Sequence, residues 1–178
     1  MAHEPIPVEL VEIALARAEG GDFEQFAQSF LSGLEGIDFV PLGGTADGGA
    51  DGFRRLELCT TSRPGIFYQF TVQENHRSKI RTTVERLIEV GRKPKQLVYV
   101  TSRIIPKLDI EEDELSEELG IRVRIRDGKY IEHNINDGPK TQAAFKNHLA
   151  HYTEFLKRVG AASILSHSKV ATDPSGWR

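Results

Sequence analysis

At 178 residues, 39% hydrophobic and 28% charged, the chain has the make-up of one folded domain with a real core, neither disordered nor membrane-dominated. No apolar run approaches the roughly 18 residues needed to span a bilayer. The opening MAHEPIPVEL has neither the basic nor the apolar segment of a secretion signal, and the single cysteine, Cys59, excludes an internal disulfide and any Cys-rich zinc site. A cytoplasmic location is the expectation. The net charge of −3 argues against a surface devoted to phosphate binding.

Residues Val8 to Leu34 read as helix broken near Gly20-Gly21, with Phe23, Phe26, Phe30 and Leu34 forming one apolar stripe. Asp22 is placed to cap the second half, with Gln25 three residues on. Ile37 to Leu42 reads as a short strand, followed by the glycine-rich loop GGTADGGADG at residues 43–52. Phe53 to Thr60 is a half-buried strand, Ser62 to Gly65 a turn, and Ile66 to Val72 a central strand rich in β-formers. A helix over Ser78 to Gly91 turns Ile80, Val84, Leu87 and Ile88 inward and ends on Gly91. Gln96 to Thr101 is an apolar strand of the kind buried on both faces. Glu111 to Leu119 is an acidic helix stopped by Gly120, and Ile121 to Arg126 a strand that alternates Val123 and Ile125 with arginines. Thr141 to Val159 reads as one long amphipathic helix with Phe145, Leu149, Tyr152, Leu156 and Val159 inward. Residues 1–160 are therefore one domain, and 161–178, with Trp177, a linker or tail. The order predicts an α/β fold: a mixed central sheet with helices on both faces, beginning α-β-β-β-α-β.

Charge is unevenly spread. Residues 76–95 carry seven lysines and arginines against two acids, and residues 109–118 carry seven acids and no base. Two solvated helix faces explain this as well as a positive and a negative side of the domain do.

Two segments carry candidate chemistry. Asp51 ends a flexible glycine run just before a strand, where glycines let the backbone approach a ligand and a carboxylate suits Mg²⁺. Asp47, in the same run, fits turn geometry better than a site. Phe67, Gln69, Thr71 and Gln73 share one strand face by the two-residue period. A polar row on a central strand is costly to bury without partners, so that face is either exposed or lines a site. His148 and His151 have a spacing that can hold zinc, but with no third ligand they read as a surface pair. Arg122, Arg124 and Arg126 fit either phosphate contact or the charge protection of an edge strand.

The run GGTADGGADG, then a hairpin, then YQFT resembles the Mrr-like branch of the PD-(D/E)XK nucleases over about residues 22–101. The resemblance implies a restriction-endonuclease-like αβββαβ core and metal-dependent cleavage of DNA, with Mg²⁺ or Mn²⁺ as cofactor. It makes Asp51 the metal-binding aspartate, Gln69 the Glu/Gln of the second half-motif, and Glu24 on FEQFAQSF the upstream acid. Thr71 stands where the family expects lysine, and Lys79 on the following helix is the candidate for a migrated amine. Arg77, Lys79 and Arg81 would contact phosphates without reading sequence. The same resemblance implies the effector part of a bacterial restriction or anti-phage protein, homo-oligomeric and fused to or associated with a sensor or NTPase module. Two alternatives stand beside it. One keeps the fold without the chemistry, as a nucleic-acid-binding or assembly module; the other is a protein-interaction domain whose acidic segment docks a basic partner.

Overall fold

In a computed structural model the described residues are 4–42 and 57–160. They form a five-stranded sheet in sequential order β1-β2-β3-β4-β5, flanked by helices. β1 (Val40–Pro41), β2 (Leu58–Thr60) and β3 (Ile66–Thr71) are antiparallel neighbours; β4 (Gln96–Thr101) and β5 (Arg122–Arg126) continue parallel to β3. The two parallel joins each need a crossover helix. These are α3 (His76–Glu89) and α4 (Leu108–Leu119). The chain is thus α/β with a mixed sheet.

Strand alternation divides the core in two. Tyr68, Phe70, Val98 and Val100 point to one face, covered by α1 (Val8–Arg17), α2 (Gly20–Glu35), α5 (Gly128–Asn134) and α6 (Pro139–His148). Phe67, Leu97, Tyr99, Val123 and Ile125 point to the other, covered by α3 and α4 through Ile80, Val84, Leu87 and Leu115. β3 and β4 are buried on both faces because helices lie above and below them. α2 and α6 pack closely: a Cβ added at Gly33 would lie 2.8 Å from the Lys140 Cβ. Among the described residues no helix is long and apolar enough to cross a membrane.

Several expectations change in detail. The first helical region breaks at Ala18-Glu19, both extended, and Gly20-Gly21 lie inside α2. Asp22 does not cap; its Oδ2 accepts from the Tyr152 hydroxyl at 2.7 Å, and that oxygen in turn accepts from Glu19 N at 3.0 Å. β1 is two residues rather than six, on the edge of the sheet and including Pro41, which has no N–H to donate. α3 starts at His76 because the Asn75 side chain accepts from Ser78 N, and Gly91 follows it at φ 79°. Ile88 and Val159, expected inward, are 58% and 62% exposed, and Thr83 takes the inner position on α3. The long C-terminal helix is three pieces: α6, a 3-10 turn over Ala150–Thr153, and helical residues 154–160. The sequence pattern gave no hint of α5. Asp127 starts it by accepting from Tyr130 N and also takes Ile105 N, both at 3.0 Å.

β5 is an edge strand, and two of its three arginines make side-chain contacts. Arg124 reaches Glu112 at 3.0 Å, and the Arg126 guanidinium lies over the Tyr130 ring. Glu112, buried in α4, also accepts from the backbone N–H of Ile125 at 2.6 Å, which docks the acidic helix onto the strand. Replacing it with alanine strands a buried N–H and a partly buried guanidinium. Glu112→Ala should therefore cost about 1–3 kcal/mol, read as a lower urea midpoint at unchanged slope. No fall in midpoint would mean that Glu112 does not dock α4 onto β5.

Candidate active site

Within β3 the polar row is buried at Gln69 and Thr71, whereas Gln73, two residues past the end of the strand, is exposed. Gln69 is 2% exposed on the α3 side of the sheet, and its carboxamide is held at both ends. Its Nε2 donates to the Glu57 carbonyl at 3.0 Å and to the Phe70 carbonyl at 3.4 Å; its Oε1 accepts from the Thr83 hydroxyl at 2.8 Å. A buried amide satisfied in this way is fixed in orientation. Thr71, also buried, closes the strand by accepting from Gln73 N at 3.1 Å.

Glu57 links the candidates. Its main chain receives Gln69, and its carboxylate pairs with the Lys79 ammonium at 2.5 Å. Gln69 and Lys79, ten residues apart on a strand and a helix, thus meet on one residue. Tyr99 is the parallel-register partner of Gln69 and fully buried, and its hydroxyl has no hydrogen-bond partner among the described residues. Burial, and then the charge of Glu57, hold the Tyr99 phenol above its ordinary range. Glu57 was missed in the sequence, although it is the one acid in Phe53 to Thr60.

Glu24 lies elsewhere. It is buried on α2 with Phe23 and Phe26, on the sheet face opposite Gln69. Its neighbour is Cys59, whose thiol is pushed up to about 12 by burial and then by Glu24. Gln28, one turn further along α2, donates to the Cys59 sulfur at 3.6 Å. Asp51 and Asp47 lie outside the described residues. Among the described residues no three His, Cys, Asp or Glu side chains gather as a metal cluster. His148 meets Ser29 and His151 meets Asp22, so the two imidazoles serve different contacts.

The two charge runs do not make opposite sides of the domain. They meet where α3 lies beside α4, through two arginines of the basic run. Arg77 of α3 forks onto Glu111 at 2.7 Å and reaches Glu114, and Arg81 pairs with Glu118 at 2.6 Å. Any phosphate contact by Arg77 or Arg81 must compete with these carboxylates. Glu111 also receives His76 at 2.7 Å, and its carboxyl is held down at about 2 by Arg77 first and His76 second. A depressed carboxyl adds stability that is present above its unfolded value and lost as pH falls toward the folded one. Acid unfolding should therefore carry a component between pH 4.5 and about 2. Glu111→Gln should lower the urea midpoint at neutral pH and flatten that component; an unchanged acid limb would sink the assignment.

Comparison with protein-family models, with curated proteins and with solved structures finds no match.

At the carboxyl ends of β3 and β4 two matching turns close the strands. Thr71 accepts from Gln73 N and Thr101 from Arg103 N, each at 3.1 Å, and Thr71 and Thr101 are register partners. Arg103 ties the loops together through Nε to the Val72 carbonyl at 2.9 Å. A cleft of about 370 Å³ opens between them, lined by both loops and the first residue of α3.

Proposed function

We propose that this domain is a metal-dependent endonuclease of the PD-(D/E)XK type, cutting DNA without strong sequence preference as part of a restriction or anti-phage system. The observation that carries the reading is the meeting of Lys79 and Gln69 on Glu57. Glu57 follows Asp51 by six positions and immediately precedes β2, the strand that pairs with β3. The element order α2-β1-β2-β3-α3-β4 agrees with the αβββαβ core of that superfamily. A lysine on α3 supplies the amine that Thr71 does not.

The donor chemistry suits a hard cation, since Asp51 and Glu57 offer carboxylate oxygens, while Gln69 has its amide oxygen engaged by Thr83 and holds the Glu57 main chain instead. Bound there, Mg²⁺ or Mn²⁺ would polarise the phosphate and lower the pKa of a water. Lys79 would lie beside the developing charge, held in place by Glu57 until the carboxylate is otherwise engaged. Gln69, locked by Thr83, would fix the position of Glu57.

A second reading has its own support. Both ends of Gln69 are satisfied internally and Lys79 is already paired, as in a nuclease-fold module that binds or assembles without cutting. Plasmid cleavage separates the two. The wild type should nick supercoiled plasmid with Mg²⁺ or Mn²⁺, and both EDTA and Asp51→Ala should stop it. A wild type that cuts nothing at high protein concentration leaves the second reading.

A further inference from the structure

The cleft at the ends of β3 and β4 is separate from the Glu57–Lys79 pair, and the proposed chemistry does not use it. Its volume, about 370 Å³, lies within the roughly 300–1,000 Å³ of small-molecule sites. Its lining combines the polar Gln73, Glu74 and His76 with Ile104, Ile105 and Pro106, and includes Arg103. The Nε bond to Val72 fixes Arg103 at its inner nitrogen, and its terminal nitrogens have no hydrogen-bond partner among the described residues. His76 uses Nε2 on Glu111 and has its other ring nitrogen without a partner among them. Ser102, between two lining residues, is buried with a hydroxyl that has no partner there either. Ile104 is 54% exposed on the lip, a large apolar side chain left beside an arginine.

We propose that this cleft binds a single nucleotide unit of a nucleic-acid strand, an inference that rests on the DNA reading above. A guanidinium anchored at one nitrogen presents its remaining fork to a phosphate. Ile104 and Pro106, both exposed, offer apolar surface to a base. Gln73 and Glu74 together present a donor and acceptors to the base edge. The cleft sits at the same end of the sheet as the start of β2, which runs antiparallel to β3. The cleft and Glu57 therefore lie toward one end of the sheet.

The test is titration of the whole 178-residue chain with 5′-dTMP, 5′-dAMP and inorganic phosphate, in EDTA, followed by calorimetry. Mononucleotide binding should be saturable and at least several-fold tighter than phosphate. Arg103→Gln should weaken it by about tenfold or more, as loss of one charge-assisted contact implies. Ile104→Ser, at an exposed position where folding is not at stake, should weaken nucleotide several-fold and leave phosphate unchanged. Lys146→Ala, on the exposed side of α6, should do nothing. Equal binding of phosphate and nucleotide, or no saturable nucleotide binding by a folded wild type, overturns the proposal. Because the titration needs no metal, its failure beside successful plasmid cleavage condemns the cleft alone. Binding without any cleavage condemns the nuclease reading alone.

Discussion

Lys79→Ala should lower the rate of Mg²⁺-dependent plasmid cleavage by roughly 10²–10³-fold, the usual loss when one preorganised charge is removed from a phosphoryl-transfer site. Fold loss would not account for it. The Lys79–Glu57 pair is partly exposed, and such pairs contribute only about 0–1 kcal/mol. The thermal midpoint should hardly move. Glu57→Gln supplies the complementary measurement. It removes the carboxylate, keeps the shape and leaves the backbone carbonyl that Gln69 uses. A loss of activity together with weaker Mn²⁺ binding would make Glu57 a metal-holding residue. Lys79→Ala cutting at the wild-type rate would reduce the lysine to a surface cation held by its neighbour.

Phe26→Ala should give the largest loss of stability in the chain. Phe26 is fully buried in α2 between Phe23 and Phe30, with ring centroids 6.1 and 5.4 Å away. Deleting its ring removes apolar burial, leaves a cavity and breaks the stack. The expected cost is about 3–5 kcal/mol, a fall in Tm on the order of 10 °C for a domain of this size. Phe26→Leu should recover more than half. A loss below about 1 kcal/mol would mean that α2 is not packed on the sheet as described.

How much of this was legible depends on whether the signal is local. The apolar stripe of α2, the continuous run of β4 and the glycine stop after α4 are visible because each reflects one element's own periodicity or cap. The short β1 and the broken C-terminal helix were not, because pairing and packing decide where they end. α5 is seven residues set by the Asp127 cap, too short for a 3.6-residue pattern to register. The polar row on β3 raised the right question, and the Thr83 hydroxyl on another element supplies its answer.

The candidate site divides the same way. By itself the sequence determined an α/β order, a buried central strand bearing Gln69, and a cationic helix carrying Lys79. Only the tertiary structure decided that Glu57 joins those two residues, that Glu24 lies against Cys59 on the opposite face, and that Arg77 and Arg81 face the acidic helix. Periodicity reports which side of its own element a residue occupies. Which charges meet across elements depends on how α3 and α4 pack side by side on one face of the sheet, and no local pattern encodes that.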